Sequence, residues 1–111
     1  MFNLALNPIL SWALAAFFML ASGINVVAPG PIAADYQRWG YPDWFHFVTG
    51  TLEFATSVLL ALTTTRLWGA GLGAAIMLAA VATVVFHGEY IRATPPVAVL
   101  MLLAIVAWTG L

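Results

Sequence analysis

Of the 111 residues in this chain, 64% are hydrophobic and only 6% are charged, whereas a soluble domain carries about 25% charged residues. This composition excludes an ordinary water-exposed surface and predicts an integral membrane protein. The net charge of −1 gives no reason to expect nucleic-acid binding. The absence of cysteine excludes disulfides, thiolate metal sites and iron–sulfur ligation in this chain. Its length predicts a single domain, residues 1–111.

Four segments are long and apolar enough to cross a bilayer, which takes about 20 mostly apolar residues. In chain order they cover residues 8–28, 43–64, 67–87 and 95–111. They predict an all-α membrane protein, a four-transmembrane-helix bundle with both termini on one membrane face. Because nothing before Asp35 is charged, we expect the first segment to be a retained helix and not a cleaved signal peptide.

Local signals place the helix ends and the connections. Asn7 is expected to cap the first helix, with Pro8 at its first helical position. A tight turn around residues 65–66 makes the second and third helices an antiparallel hairpin. The longest connection, residues 29–42, is expected to hold a short interfacial helix over residues 33–39.

Two further groups of residues are expected to position the helices. Aromatic side chains near the first connection predict a belt at the level of the lipid headgroups. They are Tyr36, Trp39, Tyr41, Trp44 and Phe45. In the third helix, Gly69 and Gly73 have the spacing that lets helices approach closely. Packing inside the bundle is the favoured interpretation of these glycines, and a dimer face is the alternative.

The second helix carries a polar stripe that should face protein or water and not lipid. Its members recur at helical spacing and are His46, Thr49, Gly50, Glu53, Thr56 and Ser57. Glu53 lies roughly 13 Å into this helix at 1.5 Å per residue. Ionisable groups at such a depth usually face a bundle interior or a cavity.

Chain direction brings more polar residues to the same end of the bundle. Ser22 and Asn25 lie near the end of the first helix, and Thr83 and His87 lie near the end of the third. The connections over this end contribute charged residues, namely Arg38, Glu89 and Arg92. The opposite half holds mostly Ala, Gly, Leu and Val. We therefore predict a pocket at the polar end and dry packing at the other.

The pocket could hold acid–base chemistry or a ligand. Glu53, His87 and His46 are the candidates for an acid/base pair or a proton relay, since such groups need tuned pKa values and mutual reach. The candidate ligand-binding residues are Asn25, Ser22, Thr49, Ser57, Thr83, Arg38 and Trp44. The structural alternative is that these groups form hydrogen bonds with one another and so fix the register of the helices. No metal site is predicted, because no closely spaced His or Glu ligands occur.

Several short motifs resemble those of the DoxX-like family of small four-helix bacterial membrane proteins. The matching pieces are Ala21-Ser22-Gly23, Gly40-Tyr41-Pro42-Asp43-Trp44-Phe45, Gly50-Thr51-Leu52-Glu53 and His87-Gly88-Glu89. Where the family often has a Lys shortly after the Ser-Gly pair, this chain has Asn25. The resemblance implies a multi-pass protein of the bacterial plasma membrane, associated in some members with sulfur- or quinone-linked redox enzymes.

The function expected from these observations is binding of an apolar ligand, a quinone or lipid-like molecule, at the polar pocket beside a membrane redox system. No cofactor is encoded by any motif. The expected partners are membrane lipid and either further copies of the chain or a larger redox complex. Two alternatives stay open: an isomerase, hydratase or hydrolase that uses Glu/His chemistry on a lipophilic substrate, and an accessory subunit without catalysis.

Overall fold

The structure is a computed structural model that describes the backbone of residues 2–110 and the side chains of residues 6–110. It is helical along almost its whole length. The described residues form five α-helices, namely α1 (Phe2–Val27), α2 (Gly30–Arg38), α3 (Phe45–Ala61), α4 (Arg66–Phe86) and α5 (Thr94–Gly110). Short 3-10 turns at Thr63–Thr65 and Tyr90–Ala93 precede α4 and α5. Leu111 and Met1 lie outside the described residues.

Four of these helices form the membrane bundle, as the sequence predicts. Segments within α1, around α4 and around α5 are long and apolar enough to cross a membrane, and α3 is a shorter apolar helix. Because α1 and α4 each pack against both α3 and α5, the helices run in the order α1–α3–α4–α5 around the bundle. The short helix α2 lies over the end where α1 finishes and α3 begins.

The start of α1 differs from the prediction. The helix already includes Phe2, and Pro8 lies inside it. Asn7 therefore does not cap the helix. Its amide Nδ2 donates instead to the Val106 carbonyl at 2.9 Å and to Thr109 Oγ1 at 3.0 Å in α5. Pro8 is the seventh residue of α1 and so lies beyond its first turn, where a proline removes one backbone hydrogen bond and crowds the carbonyl of the preceding turn.

The end of the bundle that holds the termini is not dry, contrary to the prediction. Arg66 is buried there, and its Nε and Nη2 donate to the carbonyls of Leu60 and Ala61 at the end of α3. Its Nη1 donates to Asn7 Oδ1 at 3.1 Å. Helix C-termini expose unpaired carbonyls and carry partial negative charge. The guanidinium therefore closes α3 and ties it to α1, a role that its position in a turn does not reveal.

Helix α3 is shorter than predicted at both ends. Asp43 and Trp44 form a turn before it, and Leu62 after it is extended, with φ −95° and ψ 128°. Three threonines follow in succession, and β-branched residues have low helix propensity. At 17 residues α3 spans about 25 Å, somewhat less than a typical hydrocarbon core of about 30 Å.

Gly69 and Gly73 of α4 pack inside the bundle, which agrees with the favoured interpretation. A Cβ on Gly69 would lie 2.7 Å from the backbone nitrogen of Leu60, and one on Gly73 would lie 3.1 Å from Phe18. Gly71 faces open space, with nothing within 4 Å of its Cβ position. Gly69 therefore sets the close approach of α4 to α3.

The predicted aromatic belt divides into two parts. Trp44 remains 59% exposed, as a residue at a lipid interface would. The other four turn inward and contact one another, with Tyr41 stacked on Phe45 at 4.3 Å between ring centres. The ring centre of Tyr36 lies about 6 Å from the ring centres of Trp39, Tyr41 and Phe45. This aromatic cluster covers the polar end of the bundle.

Replacing Gly69 and Gly71 by alanine tests the packing of α4. Gly69→Ala is expected to lower the free energy of unfolding by about 1–3 kcal/mol, because the new methyl group meets backbone atoms of α3. Gly71→Ala makes the same change in the same helix without a clash. It should be neutral or stabilising by up to about 1 kcal/mol. Reversible unfolding in mixed micelles measures both; equal effects would contradict the packing.

Candidate functional site

Helices α1 and α3 pack closely along a line of contact, called the seam below, and the site lies at one end of it. Gly50 allows the two helices to touch there, since a Cβ on it would lie 2.6 Å from Val26 Cγ2. Ser22 Oγ donates to the Gly50 carbonyl at 2.8 Å, and Ser57 Oγ donates to the Ala15 carbonyl at 2.7 Å. Both serines are buried. They were predicted to bind a ligand, but the structure uses them to join the two helices.

At the end of this seam, Asn25 of α1 meets Glu53 of α3. Asn25 Nδ2 donates to Glu53 Oε1 at 2.6 Å. Glu53 is only 4% exposed, and among the described residues no cation pairs with it. A buried carboxyl group needs hydrogen bonds to offset its lost hydration. Asn25 supplies that contact.

The surroundings of Asn25 determine which way its amide points. Nδ2 lies 3.1 Å from the Ala21 carbonyl, which can only accept, so this atom must be the amide nitrogen. Oδ1 on the other side accepts from the Tyr36 hydroxyl at 2.7 Å. Burial raises the pKa of Tyr36 above its ordinary value of 10.0, so the hydroxyl stays protonated. Tyr36, Asn25 and Glu53 thus form one directed hydrogen-bond chain from α2 to α3.

A cavity of about 370 Å³ lies beside this chain, within the polar end of the bundle. It is walled by α1, α3, α4 and the first residues of α5, and covered by the aromatic cluster. Most of the surface is apolar. Its polar members are Asn25, Tyr36, Tyr41, Thr49, Glu53, Thr83 and Arg92. The volume falls within the range of small-molecule sites, which are mostly apolar with a few convergent polar groups.

Two hydroxyl groups that line the cavity, those of Thr83 and Tyr41, form a hydrogen-bonded pair. Thr83 Oγ1 of α4 lies 2.8 Å from the Ala79 carbonyl and 2.6 Å from the Tyr41 hydroxyl. Since the threonine donates to the carbonyl, the tyrosine donates to the threonine. Thr49 lines the cavity as well, and its hydroxyl lies 3.4 Å from the Phe45 carbonyl. Thr83 and Thr49 therefore reach the predicted pocket.

The two histidines do not meet Glu53. His46 Nδ1 lies 2.9 Å from the backbone oxygen of Asn25, and its ring lines a separate cavity of about 220 Å³ on the outer side of Tyr36. His87 is exposed, and its Nδ1 lies 2.8 Å from the Thr83 carbonyl at the end of α4. The predicted Glu/His pair is therefore not assembled. His87 lies too far along α4, in the turn where Gly88 has φ +74°.

Four charged residues form a closed cluster above the cavity. Arg38 contacts Asp35 at 2.9 Å and Glu89 at 2.8 Å, and Arg92 contacts Asp35 at 2.9 Å and Glu89 at 3.0 Å. Trp39 Nε1 donates to Glu89 Oε2 at 2.8 Å. The cluster ties α2 to the connection between α4 and α5. Of the two arginines, Arg92 lines the cavity. Arg38 was predicted to contact a ligand, but its guanidinium group forms ion pairs with Asp35 and Glu89 in the cluster.

Sequence reasoning missed Tyr36, Tyr41 and Arg92 as members of the site. The sequence did contain a signal for Arg92. Asp35 with Arg38, and Glu89 with Arg92, are two pairs of opposite charge, each three residues apart. Both pairs lie in connections over the same end of the bundle. Trp44, predicted as a ligand contact, points outward and does not line the cavity. Within the described residues no group of three or more His, Asp or Glu could hold a metal ion.

Comparison with known proteins decides the family. The sequence profile of the DoxX-like family matches residues 9–106, nearly the whole chain. The chain belongs to the DoxX-like family. A similar relative is the Bacillus subtilis (strain 168) protein named "Uncharacterized protein YdgD", which is 35% identical over an alignment of 81 residues that covers 70% of this chain and 68% of the relative. No solved structure matches the chain.

Titration of Glu89 tests the charge cluster. Hydrogen bonds from Arg38, Trp39 and Arg92 lower the pKa of Glu89 from 4.5 to about 2, and the hydrogen bond from Arg92 is the main cause that lowers the pKa of Asp35. Because both folded pKa values are depressed, the docking of α2 should be fully stabilised above about pH 4.5. It should weaken as the pH falls toward 2.

Carbon-13 NMR of the Glu89 carboxyl in micelles should show a midpoint near pH 2. Arg38→Gln should raise that midpoint toward 4.5, since it removes the strongest hydrogen bond to Glu89. Asp43→Asn removes an exposed carboxylate outside the cluster and serves as the control. An unshifted wild-type midpoint near 4.5 would contradict the cluster.

Proposed function

We propose that this DoxX-like protein binds a lipophilic small molecule, of quinone or lipid-like type, in the cavity beneath α2. The polar group of the molecule contacts Glu53, and its apolar body lies against Leu52, Ile76 and Met77. The observation that carries the proposal is a buried carboxyl group that lines a mostly apolar cavity of about 370 Å³. An apolar cavity with one oriented polar group suits a ligand that is apolar except at its head.

The same observation favours ligand binding over a purely structural role for Glu53. A carboxyl group that served only to fix helix register would be enclosed by protein partners. Glu53 has a single hydrogen-bond donor among the described residues, Asn25, and lines the cavity on its remaining side. A buried polar group with unused capacity in a membrane protein points to a functional site.

Membership of the DoxX-like family supports a proposal about the cellular setting. We propose the bacterial plasma membrane as the location and a membrane redox system as the context, in which the protein holds the ligand next to, or within, a larger complex. In this proposal, electron transfer belongs to a partner, and this chain supplies the binding site.

Binding of a decyl-substituted benzoquinone in detergent, followed by native mass spectrometry and titration, tests the proposal. Glu53→Leu should weaken binding at least about tenfold, which corresponds to about 1.4 kcal/mol. Ser57→Ala removes another buried polar group one turn along α3, outside the cavity. It should change affinity by less than about twofold. Equal affinities of wild type and Glu53→Leu would contradict the assignment.

A further inference from the structure

The two oxygens of the Glu53 carboxyl are not equivalent. Oε1 accepts the hydrogen bond from Asn25 Nδ2, whose orientation is fixed by the Ala21 carbonyl. Oε2 has no hydrogen-bond partner among the described residues. In this part of the chain, Ser11 Oγ is the one fully enclosed side-chain oxygen or nitrogen without a partner. Oε2 therefore keeps accessible surface, and the cavity is the open space that Glu53 lines.

The charge around the carboxyl group decides which form it takes. Facing Glu53 are Asn25 from α1 and Tyr36 from α2, both neutral, and from α4 the cavity receives only uncharged side chains. Tyr41 and Arg92 line other parts of the cavity, and Arg92 is paired with Asp35 and Glu89. An ionised carboxylate without a cation is costly inside a membrane, so the neutral acid is the stable form.

One arrangement of the neutral acid is favoured, because the carbonyl oxygen of a carboxylic acid is a better acceptor than its hydroxyl oxygen. Because Oε1 accepts from Asn25, the proton resides on Oε2. The Tyr36–Asn25–Glu53 chain then runs in a single direction, each group donating to the next, and ends in an O–H directed into the cavity. The Tyr41 hydroxyl is already used as a donor to Thr83. Glu53 thus offers the cavity an unused donor.

We infer that the site selects lipophilic molecules whose head is a carbonyl acceptor, as in a quinone, ketone or ester, and that protonated Glu53 donates to that carbonyl. This inference rests on the proposed function, because it specifies the ligand class of the same cavity. It also assigns Asn25 and Tyr36 as positioning residues, which hold Oε1 as an acceptor and so direct the proton to Oε2.

The pH dependence of binding tests this inference, with a decyl-substituted benzoquinone and decylbenzene as probes. Wild-type protein should bind the quinone at least about tenfold more tightly than decylbenzene near neutral pH. Affinity for the quinone should fall at least about tenfold as the pH is raised far enough to ionise Glu53, because the donor is then lost. Decylbenzene affinity should not change.

Glu53→Gln separates this titration from that of other groups. A glutamine can accept from Asn25 with Oε1 and still donate with Nε2, but it cannot ionise. The variant should bind the quinone within about threefold of wild type near neutral pH and show no loss at high pH. A parallel loss in Glu53→Gln, or wild-type affinity that stays constant or rises with pH, would overturn the inference alone. Failure of both probes to bind at every pH would overturn the proposed function itself.

An infrared difference spectrum between wild type and Glu53→Gln gives a readout without ligand. At neutral pH it should contain the carbonyl stretch of a protonated carboxylic acid, shifted when the quinone binds. A carboxylate band in its place would overturn the inference even if the quinone binds.

Discussion

The hydrogen bond of 2.6 Å between Asn25 and Glu53 is the contact on which the polar end of this bundle depends. A carboxyl group placed midway along a membrane helix is unfavourable unless protein groups or water satisfy it. Asn25 provides that contact from α1, and in doing so it fixes the rotation of α1 against α3. Tyr36 then bonds to the same amide, which fixes α2 over the cavity. One asparagine therefore joins three helices.

Each end of the bundle buries one ionisable side chain, and the two side chains are stabilised in different ways. At the end that holds the termini, Arg66 is buried and its donors are consumed by helix carbonyls and Asn7, so the cation contributes to closing the bundle. At the other end, Glu53 keeps an oxygen unused beside a cavity. Helix α2, the aromatic cluster and the four ion-paired residues cover that cavity from outside.

The fold could be predicted from composition and periodicity, because a span of about 20 apolar residues and a helical polar stripe are signals along a single helix. The depth of Glu53 follows from the rise of 1.5 Å per residue along its helix, and the common end of Asn25 and Thr83 follows from chain direction. The inward turn of Tyr36 could not be predicted, since it depends on the break at Ala28, which has φ +49°, and on the direction in which α2 leaves it. The same applies to Arg66, whose side chain folds back onto α3. Contacts between a connecting segment and a helix depend on side-chain rotamers and on where the chain reverses. Neither of these produces a periodic pattern in the sequence.

Asn25 and Glu53 act as a pair that positions the carboxyl group at the cavity. A double-mutant cycle of unfolding free energies in mixed micelles, with Asn25→Ala, Glu53→Ala and the double variant, measures the energy of that pairing. We expect a coupling energy of about 1 kcal/mol or more, because each single variant leaves a buried polar partner unsatisfied. Effects that add to within about 0.3 kcal/mol would show that the two residues act independently and do not form this pair.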